Sequence, residues 1–280
     1  MKSFEVLAVL SAFATAASAR ATCVADEPSA EILSVIDGLR AKERHVISAR
    51  QAGNLTVPVY LHAVVAPGQE TRIPEEQLDL QFATLAEDFA PSGIHLTHAG
   101  STRTVDAALA QGPFGNGDNF QDFLRTQRQG DYGTLNIYFY TNMDPGISGY
   151  CRLPVWGGQE EPWIWDDGCH ILAATLPGEG EALGKTTTHE AGHWFGLLHT
   201  FHGNSCNPFA GDMVDDTPQE STSSTGCQIG KDSCPDMPGL DPIHNYMDYS
   251  ADSCVTEFTP GQAVRMHDMY NSLRTNFPSK

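Results

Sequence analysis

The apolar positions of this chain fall into a few separated periodic runs. An alanine-rich apolar opening extends from Val6 to Ala17, and Ile32 to Leu39 then carries the spacing of an amphipathic helix. Val57, Val59 and Leu61 alternate in a strand that reaches Val65. Pro58 lies inside that run and argues for an edge or an irregular start, because proline has no N–H to give to a ladder. Pro74 opens a helix in which Leu78, Phe82, Leu85 and Phe89 recur on one face. Ile94 to Thr97 is a short strand candidate, Leu135, Ile137 and Phe139 alternate in a stronger one, and Gly168 to Thr175 reads as a further strand. Gly112 to Asp118 is glycine-rich and reads as a loop. Thr259-Pro260-Gly261-Gln262 combines an N-cap, a first-position proline and a capping-box glutamine, so a helix follows with Met266, Met269, Tyr270 and Leu273 as its buried stripe. This order predicts an α/β protein with a mixed, largely parallel sheet.

The opening run changes the picture of where the chain works. Lys2 precedes it and Ala17-Ser18-Ala19 follows as a small-residue cleavage site, so residues 1–19 read as a signal peptide and the protein as secreted and extracellular. A membrane anchor is the competing reading. The run is short, follows directly on Glu5 and has no successor of ~20 apolar residues, so no membrane is expected. The formal net charge of -19 excludes nucleic acid as a natural partner and otherwise indicates a soluble, solvated surface. A monomer is the expected state. Seven cysteines in a secreted chain imply disulfides with one thiol left over. Cys151 and Cys169 bracket a Trp- and Pro-rich loop and suggest a local pair, whereas Cys206, Cys227, Cys234 and Cys254 allow three pairings on sequence alone. A four-cysteine structural zinc is disfavoured by the absence of CxxC spacing. Asn54-Leu55-Thr56 is an N-glycosylation sequon.

The chemistry is concentrated in HEAGHWFGLLH, from His189 to His199. On a helix, His189 and His193 stand one turn apart on one face, so both imidazoles can reach one metal. Glu190 then falls beside that metal, where a carboxylate can take a proton from water. Gly196 can adopt the left-handed conformation that ends the helix and lets His199 return as a third ligand. HExxH alone arises by chance in ~2% of chains of this composition, whereas the full motif arises in ~1 in 10,000. With its glycine and third histidine it is the metzincin signature, which predicts a methionine turn further on. Met247 in Asn245-Tyr246-Met247-Asp248-Tyr249 fits, and Tyr249 resembles the tyrosine that several metzincins turn towards the metal or the oxyanion. Two rival readings are weaker. GEGEALGKTT, from Gly178 to Thr187, looks like a phosphate loop but has the wrong glycine spacing. A non-catalytic secreted zinc-binding module would be expected to have lost Glu190, which is present.

HEAGHWFGLLHTF, DMVDDTP from Asp212 to Pro218, NYMDYSADSC from Asn245 to Cys254 and FTPGQAVRM from Phe258 to Met266 together resemble the pappalysin family of metzincin zinc metalloproteases, in its secreted fungal form. The resemblance covers the chain from about Thr56 onward. It implies a zinc endopeptidase acting on proteins or peptides, with residues 20–52 as a prosegment or N-terminal extension and 53–280 as the catalytic domain. It implies a sheet in the N-terminal subdomain over the zinc helix, with the strand 168–175 as the cleft's upper rim and its exposed edge available to substrate. An irregular, disulfide-stapled C-terminal subdomain completes the expected fold, with Cys206 paired to Cys234 and Cys227 to Cys254. The oxygens of Asp212, Asp215, Asp216 and Thr217 are of the kind calcium takes, and the resemblance places calcium there. It also implies a preference for a basic residue after the scissile bond, for which Asp248 or Asp252 could supply the charge. Finally, Cys23 could occupy the metal's open position as a cysteine switch. A bare terminal cysteine is the alternative.

Overall fold

Val57, Val59, Leu61, Ala63 and Val65 are all buried, and the strand that carries them sits inside the sheet rather than at its rim. A computed structural model of the chain describes residues 22–23, 27–49, 54–113, 117–207 and 209–275. The signal peptide expected at residues 1–19 lies outside them. In chain order the elements are β1 (Thr22–Cys23), α1 (Ala30–Ala49), β2 (Leu55–Val65), α2 (Glu75–Phe89), β3 (Ile94–Val105), α3 (Gly117–Gln127), β4 (Leu135–Tyr140), β5 (Ile147–Cys151), the single turn α4 (Trp163–Asp166), β6 (Cys169–Leu172), α5 (Lys185–Trp194) and α6 (Pro260–Met269). One six-stranded sheet has the order β1-β5-β6-β4-β2-β3. β3, β2, β4 and β6 run parallel to one another, β5 is antiparallel to β6, and β1 runs parallel to β5.

Strand side chains alternate between faces, and the two faces bury different things. Leu61, Ile137, Phe139 and Ile171 pack with Leu78, Leu85 and Phe89 of α2 and with Ala191 and Trp194 of α5. The metal-motif helix is thereby buried against the sheet. On the opposite face Val64, Tyr138, Tyr140 and Leu172 pack with Phe120, Phe123 and Leu124 of α3. His62 and His170 share this face and stack on Tyr138, with ring centroids 4.4 and 5.3 Å away.

Two further contacts fix α5 from behind. Asp167, in the turn before β6, is buried and accepts from Arg128 at 3.2 Å, from Arg274 at 3.0 Å and from the Trp194 indole at 3.1 Å. Arg274 also lies over the Trp194 ring at 3.6 Å and donates to the Trp194 carbonyl, the last of α5. With both guanidinium groups on it, the Asp167 charge is compensated in the interior. The capping box at Thr259 and Gln262 is present, and Met266, Met269, Tyr270 and Leu273 are buried. α1 packs on α6, and its Ile32 and Ile36 join Leu198, Met213, Met269 and Leu273 in a third apolar cluster.

The departures from the sequence reading have physical causes. β3 is 12 residues long rather than the short 94–97 candidate, because it pairs with β2 along its whole length at the sheet edge and does not need alternating apolar residues. The glycine-rich stretch ends by entering α3 at Gly117. Pro58 does not make β2 an edge strand. It falls before Val59, where pairing to β4 begins, so only one neighbour lies beside it there. The strand expected at 168–175 is Cys169–Leu172 followed by a 3-10 turn, and it is interior, between β5 and β4. The exposed-edge role assigned to it is therefore wrong. The rim strand is β5, whose outer edge is itself covered by β1.

Burial holds His62 near a pKa of about 4 and His170 near about 3, both below the usual 6.5. Each must stay neutral in the fold but can protonate when unfolded, so each costs stability as pH falls through 6.5 towards its folded value. His62→Gln is expected to be less stable than wild type at pH 7.5. The gap should narrow by about 2 kcal/mol at pH 5, because the variant lacks one such base. Denaturant unfolding at the two pH values checks this. A gap that stays constant or widens contradicts it.

Candidate metal centre

The geometry follows from how α5 ends. His189 and His193 lie one turn apart, ring centroids 4.9 Å from each other. Gly196 has φ 93°, and the Leu197 and Gly196 amides close back onto the Gly192 and His193 carbonyls at 3.0 and 2.8 Å. This left-handed stop reverses the chain. His199 returns so that its Nε2 lies 3.1 Å from the Nε2 of both His189 and His193. Together with the Cys23 sulfur, these atoms lie within 4.8 Å of one another.

The hydrogen bonds on the far sides of two rings decide what the near sides present. His189 Nδ1 faces the Tyr246 carbonyl at 2.7 Å and His193 Nδ1 faces the Leu197 carbonyl at 2.8 Å. A carbonyl only accepts, so both Nδ1 atoms carry the proton and both Nε2 atoms of the neutral rings offer lone pairs. Burial favours neutrality: His189 is pushed down to about 4, and His199 falls well below the usual range, through burial first and its neighbouring histidines second. Three imidazoles so arranged suit a cation such as zinc, which is bound at three protein ligands in catalytic sites.

Glu190 is fully buried, and its carboxylate faces the Cys23 thiol. Burial raises it to about 8, with the Cys23 thiol beside it. Gly149 of β5 passes so close that a Cβ there would stand 2.6 Å from Glu190 Cγ. The Tyr249 ring meets His199 edge-on at 5.0 Å, and its hydroxyl donates to the Cys23 carbonyl at 3.0 Å. These groups open onto a cleft of about 870 Å³ whose lining includes Cys23, Thr175, Glu190, Asp248 and Tyr249. Cys23 Sγ is 3.5 Å from His193 Nε2, and burial first, then Glu190, raises its thiol pKa.

Met247 is fully buried beneath α5, where a Cβ on Gly192 would lie 2.4 Å from its sulfur. Asp212 and Thr217 bond to each other, whereas Asp215 and Asp216 serve other contacts. Asp212 accepts from Thr217 and Gln262, Asp215 pairs with Arg40 at 2.7 Å, and Asp216 accepts from Thr259 and the Gly261 amide. Among the described residues no trio of carboxylates from this segment comes within 4.8 Å. Asp252 takes the Leu183 and Lys185 amides and so caps the start of α5. Asp248 is buried and accepts from the Ser224 amide and the Ser250 hydroxyl. Disulfides join Cys151 to Cys169, Cys206 to Cys234 and Cys227 to Cys254, and Cys23 is free. Asn54 is exposed just before β2.

Sequence reasoning missed the groups that support the site from outside the motif. Phe201 stacks on His199 at 4.7 Å. Thr200 donates to the buried Glu220, whose pKa burial raises to about 8 and which Lys231 links to Asp241. Phe201 adjoins the motif and could have been suspected; Glu220 and Lys231 carry no local signal.

Comparison with known proteins bears on this geometry. The family model described as pregnancy-associated plasma protein-A matches residues 148–271. An extracellular metalloprotease of Colletotrichum graminicola is 41% identical over 97% of this chain and 98% of its own length. One from Pyricularia oryzae is 42% identical over 96% and 95%. Mature mirolysin of Tannerella forsythia, solved with a cleaved peptide, has a TM-score of 0.63 at 24% identity, covering 81% of this chain and 100% of that one. That likeness establishes the shared fold. Sheet, motif helix and histidine cluster thus define a zinc-dependent metalloendopeptidase. The chain belongs to the secreted fungal extracellular metalloproteases, related to the pappalysins. It acts outside the cell on protein or peptide substrates. Among the described residues no helix is long and apolar enough to cross a membrane.

Proposed function

We propose that His189, His193 and His199 hold one zinc ion and that Glu190 is the base that activates water for peptide hydrolysis. The observation that carries this reading is the convergence of the His189 and His193 Nε2 atoms, each 3.1 Å from that of His199, beside a buried carboxylate. Zinc bound there would polarise the scissile carbonyl and acidify water. Glu190, buried beside the cluster, is placed to take a proton from that water and return it to the leaving amine. Tyr249, its ring against His189 and His199, is placed to donate to a developing oxyanion once the Cys23 carbonyl leaves it. Met247 supplies the apolar floor. Degradation of extracellular proteins for nutrients or of host proteins, by a monomer, is the biological reading this supports. Glu190→Ala should keep stoichiometric zinc but lose proteolysis by ~1,000-fold or more, measured on casein alongside metal analysis. Substantial residual cleavage would place the base elsewhere.

Residues 20–52 act in this reading as a removable prosegment, and 53–280 as the catalytic domain. Cys23 completes the ligand set at 3.5 Å from His193, and its segment lies on the rim strand β5, where substrate must go. The full chain should be latent, and Cys23→Ala should be active before any cleavage of the N-terminal segment. An equally latent Cys23→Ala chain would end the cysteine-switch reading.

Asp248 and Asp252 both line the cleft, Asp252 while also capping α5, so either carboxylate can supply the charge for a basic preference after the scissile bond. Mass-spectrometric mapping of a cleaved peptide library should show Arg or Lys enriched at that position, and no enrichment counts against both. For calcium at Asp212, Asp215, Asp216 and Thr217, only the chemistry of the oxygens gives support, and their contacts favour a capping role.

A further inference from the structure

Asp88, near the end of α2, is a buried carboxylate on which three donors converge. The Lys185 ammonium and the Tyr246 hydroxyl reach its Oδ1 at 2.6 and 2.8 Å, and the Thr188 hydroxyl reaches Oδ2 at 2.6 Å. Lys185 and Thr188 stand in the opening turns of α5, whereas Tyr246 immediately precedes Met247. A carboxylate suits the position because all three partners donate, and the ammonium balances its charge.

Both routes from Asp88 lead to the same imidazole. Thr188 is the chain neighbour of His189. Tyr246 is the residue whose carbonyl takes the His189 Nδ1 proton at 2.7 Å, and that bond sets the direction of the opposite lone pair. Tyr246 is also boxed in by Phe258, 4.8 Å away between centroids, and by the Lys185 ammonium 5.6 Å over its ring. Its hydroxyl on Asp88 is the polar end of that box.

We propose that Asp88 is a positioning residue of the metal centre, one that sets zinc affinity by holding Tyr246 and Thr188 and thereby the ring of His189. The inference rests on the zinc reading above. It places a determinant of the metal site about 100 residues before the motif, on a helix that contributes no ligand.

The test uses the full chain carrying Glu190→Ala to prevent self-digestion, with Tyr246→Phe, Thr188→Val and Asp88→Asn added singly and Tyr246→Phe combined with Asp88→Asn. Zinc Kd is read by competition with a chromophoric chelator, and the metal-free Tm is read in excess chelator. Loss of a hydrogen bond made directly to a ligand costs about 10–100-fold in metal affinity, and Asp88 acts one contact further out, so the low end of that range applies. Tyr246→Phe should therefore raise the zinc Kd about tenfold and Asp88→Asn at least as much. The double variant should be no weaker than Asp88→Asn alone, since both changes act through one contact. If Asp88→Asn does not fold, Tyr246→Phe and Thr188→Val decide. Unchanged zinc Kd in the folded variants, with only a lower metal-free Tm, would overturn the proposal in favour of a purely structural Asp88. A Glu190→Ala chain that binds no zinc at all would instead overturn the metal reading and this inference with it.

Discussion

Three buried imidazoles converging on one point are the constraint on which the rest of this structure depends. Two of them spend their protons on backbone carbonyls, so their inward nitrogens are lone pairs held 3.1 Å from a third ring in a water-poor interior. Such an arrangement is electrostatically unfavourable on its own and is resolved by a cation. Much of the surrounding design keeps the three rings in place. Gly196 supplies the reversal, Gly192 gives Met247 room beneath the helix, and Arg274 and Asp167 hold the last turn of α5 from behind.

The same packing that buries the cluster also exposes a contest for its open side. β5 runs past Glu190 with a glycine at the point of closest approach, and its outer edge is the one rail along which an extended peptide could lie beside the metal. β1 occupies that rail, and α1 anchors the same N-terminal segment to α6 through Ile32 and Ile36 and to the loop at Asp215 through Arg40. The segment thus holds the cleft by backbone pairing, apolar burial and a thiol at once. Backbone pairing and apolar burial seat the segment, and in the proposed reading the thiol is what closes the metal's open position.

What was legible in the sequence was whatever depends on local spacing. The motif from His189 to His199, the capping box at Thr259 and the apolar stripe of α2 each announce themselves within a dozen residues, and each is where the spacing placed it. What depends on partners far along the chain was not legible. β1 is two residues long and exists only through β5; β3 is a strand because β2 lies beside it; and the antiparallel β5, not β6, forms the rim. Asp88 and Glu220 look like ordinary surface carboxylates until the fold buries them under Thr188, Tyr246 and Thr200. Asp252 lines the cleft and also caps α5, a second role with no local signal, taken up because Gly184 at the helix start offers no side chain to do so.

The central claim is that one zinc ion sits among the three converging histidines, and diffraction from crystals of the purified protein on either side of the zinc absorption edge tests it most directly. The account predicts a single strong anomalous peak bonded at about 2.0–2.1 Å to Nε2 of His189, His193 and His199. Its fourth neighbour should be the Cys23 sulfur in the full chain and water once the N-terminal segment is gone. No peak there in zinc-replete crystals, or a peak held by any other residues, would contradict the account.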